Sequence, residues 1–536
     1  MTRIAGMASN RGRNLMHLQD RRPGGANLAV VVSNDPDAPV LEKARKRDIP
    51  TEVVEQTDDM DRFEHERAIL DALEDYEFDL VALDGYMRIL SSTFLDPMPT
   101  TLNVHPALLP AFPGMDAHEQ VLDAGVAVTG ATVHVVTNAV AEDGTLLESE
   151  VDAGPVITQE PIPVYEGDEE SDLKERVLYE GEFKAYPRAV RWFAEGRVDV
   201  DGDTVTVDRD DGGAFPERRV ATEDRVRELR YGENPHQDAA LYTDATVEEA
   251  NVVDAEQLNE GAKALSYNNY NDADGALNLV KEFDEPAAAV IKHTNPAGFA
   301  LDDSVAEAYE TALATDPMSA FGGIVALNRE CDVETAEQIT DSFKEVVVAP
   351  GYTDEALAVL REKDNLRVLD VGELGEITET ITERPIVGGR LVQERDLQDI
   401  GVDDLEVVTE REPTDEELET MVFAWQTMKH VKSNGILFAK GTETVGLGVG
   451  QVSRVDAVKI AAMKAEKDAE GKTAEGAVMA SDAFFPFPDG IEAAATAGIE
   501  AVVQPGGSVN DDDVIEAANE HDMAMAFTGS RAFRHD

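Results

Sequence analysis

Short stretches of nearly unbroken apolar residues, at 28–32, 80–83, 101–104 and 131–136, constrain the first 195 residues more than any other feature. Each is too short for a packed helix and reads as a buried strand, so both of its faces must be covered. Strands of that kind belong to parallel sheets with helices on either side. Helical stretches do separate them, and an α/β fold follows. The pattern returns after Asp224, with strands expected at 288–291, 445–449, 477–479 and 501–504 and helices at 305–314 and 455–465. Between the two regions, Val-Asp-Val-Asp-Gly-Asp reads as a small hairpin, and Asp-Arg-Asp-Asp-Gly-Gly reads as a linker. The expected organisation is therefore one domain over 1–197, a linker over 198–223, and a region over 224–536 built of two similar subdomains. The repeat rests on two segments, Ala-Val-Ile-Lys-His-Thr-Asn-Pro and Ala-Val-Met-Ala-Ser-Asp-Ala-Phe-Phe-Pro, each leading an apolar strand into a polar pair and a proline loop.

The formal charge is -63, from 109 acidic against 46 basic residues, in a chain that is 42% hydrophobic. Such patterning excludes disorder as the cause of the acidity. Acid is spread along the whole sequence, as in halophile proteins, whose surfaces work where molar salt cuts the screening length to about 3 Å. Nucleic-acid binding is disfavoured, because it needs a phosphate-neutralising basic face. One cysteine, Cys331, allows neither an intrachain disulfide nor a cysteine zinc site, and no metal is expected. The sequence carries neither a membrane-length apolar run nor a signal-peptide core, so a cytoplasmic protein without membrane contact is expected.

Asn103 and His105 lie two residues apart in an extended stretch and so leave the same face. An amide that stabilises an oxyanion beside an imidazole that titrates near neutrality suits attack on an acyl carbon. Alone, such a pair is more often an ordinary hydrogen-bonded couple. Residues 6–15 form a strand-to-helix turn where backbone amides and Arg11 or Arg13 could dock a phosphate, or simply a turn. His134 lies in a strand, and Asp152 either holds His105 and relays its proton or satisfies a turn. Taken in order, S-N-R-G-R-N-L, V-V-S-N-D, D-G-Y-M-R-I-L, N-V-H-P-A-L-L-P-A-F-P-G, G-A-T-V-H-V-V and D-A-G-P-V-I resemble phosphoribosylglycinamide formyltransferase over the first 190 residues or so.

That resemblance implies a Rossmann-like parallel-sheet fold with Asn103, His105 and Asp152 as the catalytic trio. It places Arg11, Gly12, Arg13 and Asn14 at the substrate phosphate, the folate along Met87, Arg88, Ile89 and Leu90, and Glu182 near the glycinamide amine. Two departures stand out: Gly12-Arg13-Asn14 replaces the family's Gly-Ser-Asn, and an acidic insertion occupies 141–150, bordering the expected folate pocket.

In the second region, Lys292-His293 ends an apolar strand and offers a cation for an oxyanion beside a base. The dipeptide alone is more often just a polar strand end. Around it stand R-Y-G-E-N-P-H-Q, L-S-Y-N-N, S-A-F-G-G, V-K-S-N, G-Q-V-S-R, S-D-A-F-F-P-F and Arg531. Together these resemble the transformylase half of the bifunctional purine enzyme that acts on aminoimidazole carboxamide ribotide (AICAR), a duplicated, cytidine-deaminase-like α/β fold. The resemblance implies His293 as base, Lys292 as partner of the oxyanion and leaving nitrogen, and Asn434 as the group that positions them. Arg230, Tyr231, Ser319, Gly322, Gly323 and Arg531 would bind the nucleotide, and Arg454, Phe487 and Asp489 would face the folate. Pro488 departs from the basic residue of relatives. Gly446, Gly448 and Gly450 lack the full dinucleotide fingerprint, so NAD is not expected.

Both resemblances imply formyl transfer from 10-formyltetrahydrofolate to an amine: glycinamide ribonucleotide in one half, AICAR in the other. No inosinate cyclohydrolase segment is recognisable, so formyl-AICAR is the expected end product. A homodimer through the C-terminal half is also implied. The rival readings are hydrolysis of formyltetrahydrofolate, which shares the Asn, His and Asp arrangement, and a non-catalytic scaffold role for one half. Transfer to initiator methionyl-tRNA is disfavoured by the acidic charge.

Overall fold

The computed structural model describes residues 1–57, 60–202, 204–208, 213–259 and 263–535. They form two compact units, Met1–Val220 and Ala221–Asp536. The division falls inside the segment expected as a linker, and its central residues, 209–212, lie outside the described ones.

In the first unit the chain runs β1 (Arg3–Met7), α1 (Arg13–Arg21), β2 (Asn27–Ser33), α2 (Pro39–Arg45), β3 (Thr51–Val53), α3 (Arg62–Leu73), β4 (Leu80–Leu83), α4 (Ser92–Leu95) and β5 (Thr101–His105). It continues through α5 (Ala117–Ala124), β6 (Val128–Val135), β7 (Val156–Pro163), α6 (Glu170–Arg176) and α7 (Phe183–Ala194). The seven strands make one sheet in the order β3-β2-β1-β4-β5-β6-β7. Alternate residues of the strands feed different cores. Ile4, Leu80 and Ala82 pack with α1, α2 and α7, whereas Ala5, Met7, Val81 and Leu83 pack with α3 and α4. Both faces are covered, which is why these strands read as continuous apolar runs.

The sheet is parallel as far as β5, but β6 and β7 run antiparallel. A strand buried on both faces looks the same in either direction, so the sequence could not give this turn of the chain. The hairpin β8 (Val198–Asp201) and β9 (Thr204–Val207), expected as the start of the linker, packs Val198, Val200, Val205 and Val207 against the first unit's core. Its alternating valines give it one apolar face, which a free linker would leave in water.

The second unit opens with the hairpin β10 (Asp224–Leu229) and β11 (Ala239–Thr243) and then builds a twelve-stranded sheet from two halves. The first half is β12 (Glu256–Gln257), α8 (Tyr267–Val280), β13 (Ala287–Lys292), β14 (Asn295–Leu301), α9 (Val305–Leu313), β15 (Ile324–Leu327), α10 (Val333–Thr340), β16 (Val346–Ala349), α11 (Asp354–Leu360) and β17 (Arg367–Asp370). A hairpin of β18 (Ile381–Ile386) and β19 (Gly389–Glu394) follows. The second half is β20 (Glu406–Val407), α12 (Asp415–Met428), β21 (Ile436–Lys440), β22 (Glu443–Gly448), α13 (Arg454–Lys467), β23 (Val478–Ser481), α14 (Asp489–Thr496), β24 (Ala501–Gln504), α15 (Asp511–Glu520) and β25 (Ala524–Phe527).

The two halves repeat each other element for element. Each has an antiparallel hairpin, a third strand antiparallel to the first of that pair, two further parallel strands and an antiparallel edge. They join where Ala300 of β14 pairs antiparallel with Glu443 of β22. The duplication expected from the sequence is present, but the segments that suggested it are not equivalent. Lys292 ends β13, whose counterpart is β21, whereas Ser481 ends β23, whose counterpart is β15. Nor does a proline loop follow Lys292: His293 and Thr294 form a two-residue turn, and Pro296 already lies in β14. Gly446 and Gly448 belong to β22, where a Cβ would fall 2.5 Å from Ala461 O and 1.9 Å from Ala457 O; these glycines let α13 lie close on the strand.

Candidate active sites

In the first unit the chain leaves β1 toward β2 and β3 on one side and returns to β4 and β5 on the other, so the carboxyl ends of β1 and β4 flank a crevice. The loops there line a cleft of about 430 Å³. Met87, Arg88, Ile89 and Leu90 line it together with Asn103, His105, His134 and Asp152. Tyr186 of α7 ties the strand ends together beneath it, its hydroxyl donating to Leu83 O at 2.9 Å and Leu102 O at 3.2 Å.

His105 is buried, with its Nδ1 3.3 Å from Asp152 Oδ2 and its Nε2 2.7 Å from Phe112 O. Acceptors therefore flank both ring nitrogens. Asp152, at φ 55, also accepts from the Gly114 N–H at 2.8 Å, so the loop 112–114 is tied to both residues. His134 sets Asn103. Its Nδ1 lies 3.1 Å from Val135 O and its Nε2 3.2 Å from Asn103 Nδ2. Burial, ahead of the opposing pull of Asp152, lowers the His134 pKa and so favours the neutral ring, whose Nε2 accepts from the Asn103 amide. The insertion at 141–150 closes on itself through Ala141 N–H to Thr145 O, and its end residue Glu150 lines the cleft.

Arg11, Gly12, Arg13 and Asn14 form the turn from β1 into α1, with Gly12 at φ 53. Asn14 Nδ2 donates to Glu182 Oε2 at 2.6 Å and to Asp84 Oδ1 at 3.1 Å. Glu182 closes a π-helical turn, Val177–Glu182, in which Gly181 lies against Ala131 and Ile162. Burial, seconded by Asp84, pushes the Glu182 carboxyl up to about 7. The sequence reading missed three residues here. Arg62 donates to Ile89 O at 2.6 Å and lines the cleft; Asp84, the first residue of D-G-Y-M-R-I-L, accepts from the Asn14 N–H; and the Lys43 ammonium donates to Arg11 O. Nothing in their local pattern sets them apart; only the fold brings them in.

In the second unit His293 and Thr294 take φ 52 and φ 62, a turn with both central residues left-handed and neither a glycine. Asp272 of α8 holds it, accepting from the His293 N–H at 3.1 Å and the Thr294 N–H at 2.7 Å. Such strain persists only where neighbours over-determine it, and it clusters at functional sites. Lys292 donates to Phe321 O at 2.9 Å and Gly322 O at 3.0 Å. A Cβ on Gly322 would stand 3.1 Å from Lys292 Nζ, and one on Gly323 would stand 2.8 Å from Ile291 O, so this approach requires both glycines. Ser319 lies with the Asp316–Lys464 ion pair, within 3.2 Å of Lys464 Nζ. Arg230 stacks at 4.7 Å over the Tyr231 ring.

A separate cleft of about 420 Å³ brings together Asn434, Arg454, Phe487, Asp489 and Arg531, but neither Lys292 nor His293 lines it. Arg454 was expected at the folate. Its guanidinium is engaged with Asp482, with Ser481 Oγ at 2.8 Å and with Asn434 Oδ1 at 2.7 Å. Asn434 Nδ2 in turn donates to Gln451 O at 2.9 Å and Val452 O at 3.1 Å, which fixes that amide on both sides. Phe485 is core, whereas Phe487 is exposed, and Arg531 stands 5.5 Å over Phe484. Lys432 N–H donates to Asn295 Oδ1 at 3.1 Å, so the lysine–histidine hairpin and the Asn434 loop touch.

The two compact α/β units thus carry one constellation each, Asn–His–Asp in the first and a Lys–His turn in the second. Residues 2–190 match the formyl transferase family model, and residues 192–464 match that of the AICARFT/IMPCHase bienzyme. The chain belongs to the AICARFT/IMPCHase bienzyme family, joined to a formyl transferase region, and is a bifunctional formyltransferase. Among solved structures it is similar to glycinamide ribonucleotide transformylase 1 from Symbiobacterium toebii, at 40% identity over 39% of this chain and 94% of that one, with a TM-score of 0.35. It is also similar to phosphoribosylglycinamide formyltransferase from Brucella melitensis, at 38% identity over 37% of this chain and 99% of that one, with a TM-score of 0.32.

Proposed function

We propose that the first unit transfers a formyl group from 10-formyltetrahydrofolate to glycinamide ribonucleotide, and the second from the same donor to AICAR, giving formyl-AICAR without inosinate cyclohydrolase activity. The observation that carries the first half is the contact of His105 with Asp152 in the cleft whose far wall is Met87 to Leu90. The amine nitrogen attacks the formyl carbon, and the Asn103 N–H and the His105 ring stabilise the oxyanion that develops. Asp152 holds the ring and passes the amine's proton on to the folate nitrogen, which leaves as the oxyanion collapses and its bond to the formyl carbon breaks. The wall of 87–90, with Arg62 anchored on it, suits a flat heterocycle joined to an anionic tail. Glu182, with its carboxyl titrating near neutrality, faces the amine.

In the second half Lys292 stabilises the oxyanion and His293 takes the proton of the weakly nucleophilic ring amine, with Asn434 held by Arg454 as a positioning group. The reading includes a homodimer through this unit: the cleft at Asn434 and the turn at Lys292 are lined by different residues, and a second copy would supply a second set of each. The absence of a cyclohydrolase is supported by the match of residues 2–190 to a formyl transferase model. The protein acts in the cytoplasm and at high salt, in keeping with its charge of -63. The test is an assay in molar salt with formyl folate and each amine separately. Both should be formylated without inosinate appearing; formate release at the same rate without any amine would point to a hydrolase instead.

A further inference from the structure

Just past the end of α2, Lys46 pairs with Glu42 and Arg47 with Asp20. Lys43 is different. Its ammonium donates to Arg11 O at 2.7 Å, and its pKa is lowered by burial first, then by Arg13 and Arg11. No ion pair involves Arg11, Arg13 or Lys43 among the described residues, although acids outnumber bases by 109 to 46. Tight packing of α2 on the loop enforces the grouping, since Val40 N–H donates to Asn10 O at 3.1 Å and a Cβ on Gly12 would fall 2.2 Å from Val40 Cγ2. Asp84 offsets part of the charge of Lys43, and Glu182 part of that of Arg13, but neither forms an ion pair with them; three grouped cations so weakly opposed are unfavourable, and an anion relieves them.

A second observation says how that anion is held. Most of the free amides at the start of α1, the usual seat for a phosphate, are already taken. Asp84 Oδ2 accepts from the Asn14 N–H at 2.8 Å and the Leu15 N–H at 3.3 Å. Gly12 N–H donates to Asn10 Oδ1 at 3.2 Å. Beside them Asn14 Oδ1 is buried without a hydrogen-bond partner, an acceptor suited to a ligand hydroxyl or amine.

We propose that the first unit grips the phosphate of a sugar-phosphate substrate with side-chain cations, Lys43 together with Arg11 and Arg13, because Asp84 occupies two of the helix amides that would otherwise bind it. This rests on the reading that the unit formylates a phosphorylated amine. It adds Lys43 as a binding residue and gives Asp84 a role in setting the mode of binding.

The test uses the full chain with K43Q, K43R and D84A, measuring KM for glycinamide ribonucleotide and, independently, inorganic phosphate binding by titration calorimetry. K43Q should raise KM by about tenfold or more with kcat little changed, which also shows that the first unit folds, should weaken phosphate to a similar degree, and should leave AICAR transfer intact. K43R should restore most of both. In a D84A background, where the helix amides are released, the K43Q penalty should shrink. Unchanged KM and phosphate affinity in K43Q would overturn the proposal while leaving the formyl transfer reading in place. Phosphate binding lost in K43Q by a protein that does not formylate glycinamide ribonucleotide would do the reverse.

Discussion

Oδ2 of Asp152 lies 3.3 Å from Nδ1 of His105, and the same oxygen accepts the Gly114 N–H at 2.8 Å. The carboxylate thus fixes both the ring and the loop that covers it. Replacing Asp152 by Asn keeps the shape but removes the charge and turns an acceptor into a potential donor. D152N should lower kcat/KM for glycinamide ribonucleotide by about 10² to 10⁴, with AICAR transfer unaltered. Equal loss of both activities would mean that the change acts on folding and not on this site.

The pairing of Asn103 and His105 was legible because a strand's period of two puts both on one face, and their order with Asp152 matched a family. The antiparallel turn of β6 and β7 was not, since a doubly buried strand carries no sign of direction. The duplicated second unit was half legible. Its apolar strands could be found, but similar strings at β13 and β23 occupy different places in the repeat, and only the pairing of strands shows which elements correspond. Asp84, Lys43 and Asp272 remained hidden because each acts through backbone groups distant in sequence, a relation that composition and spacing do not encode.

Glu182 gives the first unit a pH signature. Its carboxyl titrates at about 7 in the folded protein against 4.5 for the free group, because burial disfavours its charge. The folded state therefore holds the proton more tightly than the unfolded one, and this contribution to stability is complete below pH 4.5 and is lost as pH rises through 7. E182Q should remove that loss, on the order of 3 kcal/mol between those limits, while raising KM for glycinamide ribonucleotide. Thermal melts of both proteins at pH 5 and pH 8 would decide it; a wild-type profile no steeper than that of E182Q would contradict the assignment.

Asp272 binds the two amides of the left-handed His293–Thr294 turn, each of which costs on the order of 1 kcal/mol to hold. D272A should release the turn and reduce AICAR transfer by at least about tenfold through kcat, with little change in transfer to glycinamide ribonucleotide. Normal AICAR turnover in D272A would show that the turn holds its form without the carboxylate.

Cys331 is fully buried, and burial raises its thiol pKa to about 12. Labelling by a thiol reagent at neutral pH should therefore report opening of the second unit alone. The rate should rise with denaturant and stay unchanged in H105A or D152N. Rapid labelling of the native protein would show that this core opens far more readily than its packing implies.

The most direct measurement is the pair of single variants H105A and H293A, each assayed with both amines in the same salt. H105A should lose transfer to glycinamide ribonucleotide and keep transfer to AICAR, and H293A should do the opposite. A variant that leaves both rates intact, or one that abolishes both, would contradict two independent formyl-transfer sites on one chain.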